Sequence, residues 1–136
     1  MKDLIVTYPA HGDGPVLHAC INEGKIQMEG LVATYLDDWN EAYIDPLISW
    51  IENFFKKPEN DGLIFQINLS YYYPIIEESI HDLFERFQEK NYSIKIEWYY
   101  NEDDYPFGDE NFQKSFPKLD FKLFPHEDGF RLPIFV

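Results

Sequence analysis

Two stretches of alternating hydrophobicity limit the folds that are open to this chain. Residues 63–69 place Phe65, Ile67 and Leu69 on one side, and residues 94–100 repeat the same pattern. A strand with this period buries one face only, whereas strands covered by helices on both faces are continuously apolar. The sequence therefore predicts a sheet that has helices on one face and leaves its other face largely in solvent.

Two helices are predicted by apolar residues that recur at helical spacing. In residues 37–57 the apolar residues are Tyr43, Leu47, Trp50, Ile51 and Phe54. In residues 74–90 they are Ile76, Ile80, Leu83, Phe84 and Phe87. Pro46 interrupts the first pattern, and a proline is best tolerated at the first helical position. We therefore expect Asp45 to be the N-cap of that helix, after an irregular turn.

The remaining elements complete a mixed sheet. Residues 16–21 and 25–29 read as a hairpin around Asn22-Glu23-Gly24, and a last strand follows a short third helix near residues 120–123. The expected order is β-β-α-β-α-β-α-β, an α/β fold with helices mainly on one face. Gly12-Asp13-Gly14-Pro15 separates an N-terminal arm, residues 1–14, from one domain, residues 15–136.

Charge and composition limit the classes of molecule that this chain can bind. The chain has 25 acidic and 11 basic residues, a net charge of −14, which disfavours nucleic acid and anionic membranes and favours a basic protein segment. The single cysteine, Cys20, excludes an internal disulfide and fits a reducing compartment. We find no signal peptide and no apolar run long enough to span a membrane, so a cytoplasmic location is expected.

No recognised catalytic or metal-binding motif is present. The sequence has no Gly-rich phosphate loop, no Gly-x-Ser-x-Gly elbow and no His-Glu-x-x-His, and its four histidines are widely spaced. We therefore expect no catalytic residues, no metal and no cofactor. A hydrolase that uses two of the many carboxylates is the least favoured alternative.

Three stretches resemble one family of bacterial proteins. They are Trp98-Tyr99-Tyr100-Asn101-Glu102-Asp103-Asp104, Tyr43-Ile44-Asp45-Pro46-Leu47-Ile48-Ser49-Trp50 and Gly108-Asp109-Glu110-Asn111-Phe112. The first resembles the signature Trp-Tyr-Tyr-Asp-Glu-Asp-Asp of the SiaC family of regulatory phosphoproteins, which has the STAS fold of anti-sigma-factor antagonists. The other two resemble that family's Phe-Tyr-Glu-Pro-Leu-Leu-Glu-Trp and Gly-Glu-Asp-Phe. The likeness runs from about Lys25 to Leu123.

The resemblance implies a non-enzymatic switch. In the family, a kinase phosphorylates a threonine at the start of the second helix and a phosphatase removes the phosphate. The unphosphorylated form binds and activates a diguanylate cyclase, whose product, cyclic di-GMP, controls biofilm formation and aggregation. Two departures concern the switch: Ser70-Tyr71-Tyr72-Tyr73-Pro74 replaces the family's Asn-Thr-Ser-Ser, and Asp37-Asp38-Trp39-Asn40 replaces its Pro-Glu-Asn. The phosphoacceptor threonine is therefore missing.

Two loops contain the candidate functional residues. The first, Ser70 with Tyr71, Tyr72 and Tyr73, we call the tyrosine loop; it is the candidate phosphorylation or switch site, with Ser70 as its only serine. Tyr72 and Tyr73 are also candidate partner contacts, because tyrosine is enriched at protein interfaces. The second, the acidic loop, contains Glu102, Asp103 and Asp104. Alternatively, Ser70 ends a strand, the tyrosines pack under the helix, and the acidic loop is only solvated.

A different class of function is also open to a small, acidic, aromatic-rich chain. An immunity or inhibitor protein that neutralises a basic toxin would have the same composition, because opposite charge speeds the capture of a target. The sequence does not distinguish an immunity protein from a cyclase regulator. The identity of the partner would decide between them.

Overall fold

The computed structural model describes residues 1–7, 15–31, 38–70, 74–101, 114–127 and 129–133. Six strands follow one another across a single sheet: β1 (Leu4–Val6), β2 (Val16–Cys20), β3 (Lys25–Leu31), β4 (Leu63–Ser70), β5 (Ile94–Asn101) and β6 (Asp120–His126). The first three strands pair antiparallel, and β3 to β6 pair in parallel. The sheet is therefore mixed, as predicted.

The hairpin between β2 and β3 forms at the predicted turn. Gly24 takes a left-handed conformation, with φ +58°, and its N–H donates to the carbonyl of Ile21 at 3.2 Å. Glycine adopts this conformation without the steric penalty that a Cβ atom brings. The turn sets the register in which Ala19 pairs with Ile26.

Both long helices pack on one face of the sheet. α1 (Asp45–Phe55) and α2 (Pro74–Glu89) lie before β4 and β5 respectively. All ten apolar residues that predicted the two helices are buried, and they share one core with the inward side chains of the strands. Those inward residues include Phe65 and Ile67 on β4 and Ile96 and Trp98 on β5. The alternation was thus a correct guide to the covered face.

The expected start of α1 was wrong. The irregular turn is a π-helix, Asn40–Ile44, that continues directly into α1, so the N-cap is Ile44 and no side chain caps the helix. The N–H of Asp45 donates to the carbonyl of Asn40, which is the wide hydrogen bond of a π-helix. The chain therefore enters the helix already in helical conformation, and Pro46 lies in the first turn of α1, where its missing N–H is tolerated.

Residues 1–7 contain a strand that the expected N-terminal arm did not include. β1 pairs with β2 through the contacts of Leu4 with Ala19 and Val6 with Leu17. The indole Nε1 of Trp50, on α1, donates to the carbonyl of Lys2 at 3.0 Å. This part of the arm is therefore an edge strand of the sheet. Lys114 and Ser115, before β6, are helical, while residues 102–113 lie outside the described residues, so the third helix stays a prediction.

The opposite sheet face, which we call the helix-free face, was expected to be largely solvated, and this was wrong for its centre. Gln27, Glu29, Gln66 and Asn68 all point to this face and are nevertheless buried. Residues 129–133, which follow β6, contact this face at β3, where the N–H of Leu132 donates to Glu29 and Gln27 Nε2 donates to the carbonyl of Pro133. Alternating polar residues therefore identified the face without helices but not the burial of its centre, where a segment with no regular structure lies against β3. None of the helices in the described ranges is long and apolar enough to span a membrane.

Candidate functional site

Both candidate loops leave the same edge of the sheet. β4 ends at Ser70, the tyrosine loop follows it, and β5 ends at Asn101, immediately before the acidic loop. The parallel register pairs Ile67 with Trp98, and the same offset brings Asn101 level with Ser70. Neighbouring strands lie about 4.8 Å apart, so the two loops begin side by side. In open sheets with parallel strands, the carboxyl ends of the strands are where ligands usually bind.

The structure describes the ends of the two loops but not their centres. Ser70 is the last residue of β4, paired with Leu31 of β3, and Pro74 is the first residue of α2. Tyr71, Tyr72, Tyr73, Glu102, Asp103 and Asp104 lie outside the described residues. The roles that we assign to their side chains therefore stay predictions.

The first turns of α2 are tied to the π-helix by a serine. The Oγ atom of Ser79 accepts a hydrogen bond from Trp39 Nε1 at 3.2 Å and donates one to Asn40 Oδ1 at 2.6 Å. Trp39 also stacks on Tyr43, with ring centroids 4.8 Å apart, and the Tyr43 hydroxyl donates to the carbonyl of Pro15 at 2.7 Å. This network fixes the direction in which α2 leaves the tyrosine loop. No motif in the sequence indicated this network, because its members lie about 40 residues apart.

Replacing Ser79 with alanine is expected to lower the free energy of unfolding by about 1–2 kcal/mol, because the buried indole N–H of Trp39 loses its acceptor. Equilibrium urea unfolding measures the change. Ser49→Ala, at an exposed position of α1, is the matched control and should stay within about 0.5 kcal/mol of the wild type. Equal stability of the two variants would contradict the proposed role of the network.

A second polar cluster, on the helix-free face, was missed at the sequence level. Gln27 Nε2 donates to Gln66 Oε1 at 2.8 Å, and Gln66 Nε2 donates to Glu97 Oε1 at 2.9 Å, which forms a row across β3, β4 and β5. A neighbouring row joins Asn68 Nδ2 to Glu29 Oε2 at 2.9 Å. The polar members of the alternating strands were visible in the sequence, but nothing there indicated that they are buried.

Two tyrosine side chains next to the sheet have a perturbed pKa. Burial, and then the neighbouring Glu97 carboxylate, raise the pKa of Tyr99, while Lys95 opposes this. Burial, and then Glu52, likewise raise the pKa of Tyr92. Both phenols are therefore neutral hydrogen-bond donors throughout the physiological pH range.

One group of possible metal ligands occurs within the described ranges, on the outer face of α2. Ligand atoms of His81, Asp82 and Glu85 lie within 4.8 Å of one another, and all three side chains are exposed. The His81 ring also contacts Phe116, with ring centroids 4.8 Å apart. Because all three side chains are exposed, an ion would have to compete with water for each of them.

We predict that micromolar zinc shifts the melting temperature of the protein by less than about 1 °C, since an ion that does not bind the folded state cannot stabilise it. Differential scanning fluorimetry with and without the metal measures the shift. A rise of several degrees in the wild type that is absent from His81→Ala would overturn the prediction and locate the site at this cluster.

The fold and the position of the loops define a class of protein. It is an α/β domain whose two long helices cover one face of a mixed sheet and whose first three strands are antiparallel. The candidate functional loops follow the carboxyl ends of two parallel strands, β4 and β5. The chain belongs to the SiaC family of regulatory phosphoproteins, whose family model matches residues 9–126. No curated protein sequence matches the chain.

Solved structures of the same family share the fold. SiaC of Pseudomonas aeruginosa has a TM-score of 0.70 and 17% identity, over 93% of this chain and 100% of that chain. A chain in the crystal structure of the diguanylate cyclase SiaD in complex with its activator SiaC, from the same organism, has a TM-score of 0.74 and 19% identity, over 91% of this chain and 100% of that chain. At these identities the likeness establishes the fold.

Proposed function

We propose that this protein is a non-enzymatic regulator that binds a diguanylate cyclase and raises its production of cyclic di-GMP. Membership of the SiaC family carries the proposal, because SiaC of Pseudomonas aeruginosa is an activator found in complex with the cyclase SiaD. We propose that the contact lies at the carboxyl ends of β4 and β5, and the side-by-side ends of these strands support this. The absence of a recognised catalytic motif in the sequence is consistent with a binding role.

The tyrosine loop is proposed as the switch. A phosphate near the first turn of a helix is favoured by free backbone N–H groups and by the helix dipole. The loop lies directly before α2, and the Ser79 network holds the early turns of that helix in place. Ser70 is the proposed acceptor for a kinase and phosphatase pair, since the threonine of the family is missing here. Tyr72 and Tyr73 are proposed to contact the partner, together with Glu102, Asp103 and Asp104.

The finer fold and location are part of the same proposal. A STAS-like third helix between β5 and β6 is supported by the helical conformation of Lys114 and Ser115. We place the protein in the cytoplasm, because its buried Cys20 is a free thiol and the proposed partner is an intracellular signalling enzyme. Membership of the SiaC family favours a cyclase regulator over an immunity protein.

Affinity capture from the native organism, followed by mass spectrometry, tests the proposal. The tagged wild-type chain should enrich a diguanylate cyclase, and a Tyr72→Ala, Tyr73→Ala double variant of the same chain should enrich much less of it. The Asp82→Asn variant, which is altered at an exposed position of α2, serves as the control and should behave as the wild type does. Reproducible enrichment of a basic toxin, with no cyclase, would reject the proposal in favour of the immunity function.

A further inference from the structure

Residues 129–133, which we call the strap, are held on the helix-free face by contacts to their main chain. The N–H of Leu132 donates to Glu29 Oε2, and Gln27 Nε2 donates to the carbonyl of Pro133 at 3.0 Å. Main-chain contacts of this kind recognise an extended backbone whatever its side chains are. The strap is therefore bound in the manner of a peptide ligand.

Side chains of the strap occupy two separate places on this face. Leu132 is 5% exposed and its N–H donates to Glu29, while the ring of Phe130 stacks on Tyr99 at 5.3 Å and on His126 at 5.0 Å. Arg131, between them, is exposed. An aromatic anchor and an aliphatic anchor two residues apart, with an outward side chain between them, are the pattern of an extended segment.

The polar rows beneath the strap form a built site. Glu29 and Asn68 are 8% and 5% exposed, and their hydrogen bond leaves the Glu29 carboxylate oriented towards the strap. His126 holds the other side of the Asn68 amide, with Nε2 at 3.0 Å from Asn68 Oδ1. A buried carboxylate needs donors, and a backbone N–H from an added segment provides one.

One buried atom on this face is not used by the strap. Gln27 is 1% exposed, and its Oε1 has no hydrogen-bond partner among the residues that the structure describes. A buried acceptor without a donor is unfavourable, because it has lost its hydrogen bonds to water and gained none in the protein. A segment that offers a further backbone N–H at this level would satisfy it.

The strap is connected so that it can leave without disrupting the sheet. It begins within a turn, in which Phe130 N–H donates to the Glu127 carbonyl at 3.3 Å and Gly129 has φ +87°. It contributes no strand to the sheet, and β6 keeps its full pairing with β5. Segments of this kind open locally at a smaller free energy than that of global unfolding.

We propose that the helix-free face is a second protein-binding surface and that the strap is its intramolecular ligand. The partner is an extended protein segment with the pattern of the strap, aromatic-x-aliphatic, and with a basic residue between the anchors to suit an acidic protein. Such a segment binds when the strap is displaced, and the strap lowers its apparent affinity by competing for the same contacts. This inference is independent of the proposed cyclase regulation, because it concerns a different face from the two loops.

Peptide binding to the full-length protein tests the inference. The probe is a fluorescein-labelled peptide of residues 127–136, followed by fluorescence polarisation. Leu132→Asp should release the strap, because it removes a buried apolar contact and places a carboxylate beside Glu29. We expect this variant to bind the peptide at least tenfold more tightly than the wild type does. Arg131→Ala, at the exposed neighbouring position, should bind as weakly as the wild type.

A peptide that itself carries Leu132→Asp should lose at least tenfold in affinity for the released variant. Equal affinity of the unaltered peptide for the wild type and for the Leu132→Asp variant would overturn the inference. It would also be overturned if the peptide did not bind the Leu132→Asp variant although its strap is released. Amide hydrogen exchange of the wild type gives a decision that does not depend on the folding of any variant. The Leu132 amide should exchange at least tenfold faster than the core amides of β4, and exchange at the same rate would mean that the strap never opens by itself.

Discussion

Replacing Phe84 with alanine is expected to lower the free energy of unfolding by about 3–5 kcal/mol, the range found for buried phenylalanines. The Phe84 ring is fully buried. Its ring neighbours come from α2, from β5 and β6 and from the turn before β6, and they are Phe87, Trp98, Phe116 and Phe121. The substitution leaves a cavity in the middle of the contact between helix and sheet, which rigid neighbours on several elements cannot fill.

Equilibrium unfolding in urea measures this loss, with Phe55→Ala as the matched control. Phe55 is only half-buried and stacks on Tyr92 at the rim of the core, with ring centroids 4.7 Å apart. Its truncation should cost less than half as much as that of Phe84, because solvent refills the space. A larger loss for Phe55→Ala than for Phe84→Ala would mean that the core is centred elsewhere.

Tyr72→Ala or Tyr73→Ala is expected to weaken binding of a verified partner by about 1–3 kcal/mol, roughly 5- to 150-fold in Kd. Tyrosines provide large, rigid contact area at a low entropic cost, so the loss should appear mainly as faster dissociation. The Asp103→Asn, Asp104→Asn variant should instead associate more slowly and dissociate at nearly the same rate, because the two carboxylates that it lacks act mainly by electrostatic steering. Surface plasmon resonance at two salt concentrations separates the two effects, since steering weakens with salt.

Tyr92→Ala is the control for the tyrosine variants. Tyr92 precedes β5 and so lies at the opposite edge of the sheet from the tyrosine loop. This variant should bind the partner as the wild type does at a temperature where it is folded. If the tyrosine-loop variants bind normally while the Asp103→Asn, Asp104→Asn variant dissociates quickly, the acidic loop is the contact and the tyrosine loop is not.

The covered side of the sheet could be read from the sequence because it follows periodicity. Phe65 and Ile67 alternate with polar residues, and Leu83, Phe84 and Phe87 recur at helical spacing, so each element identifies its own buried face. The residues of both helices were correctly assigned to one core for this reason. Local patterns of this kind need no knowledge of the partner element.

Features that depend on contacts between distant segments could not be read in the same way. Nothing near Gln27 in the sequence indicates that Pro133, more than a hundred residues later, receives its hydrogen bond. The pairing of Leu4 with Ala19 is likewise a long-range contact of a strand only three residues long. The π-helix before Pro46 was anticipated only as an irregular turn, because the wide hydrogen bond from Asp45 to Asn40 has no sequence pattern of its own.

The position of the candidate loops depends partly on local sequence patterns and partly on contacts between distant segments. The strands before the loops were predicted to end at Leu69 and Tyr100, and they end one residue later, at Ser70 and Asn101. The alternative in which Ser70 ends a strand is therefore confirmed. That the two strand ends lie side by side follows from the parallel order of β4 and β5, which requires the fold. The resemblance to the SiaC family implied a fold in which these strands are parallel, and the structure confirms that pairing. The family model confirms the family itself.

The central claim is that this protein raises the activity of a diguanylate cyclase by binding it. The most direct measurement is the rate of cyclic di-GMP synthesis from GTP by the captured cyclase, with and without a stoichiometric excess of the purified protein. We expect the wild type to increase the rate several-fold, and the Tyr72→Ala, Tyr73→Ala double variant to do so only at a much higher concentration. An unchanged rate at saturating wild-type protein, with the complex verified in the same solution, would contradict the claim.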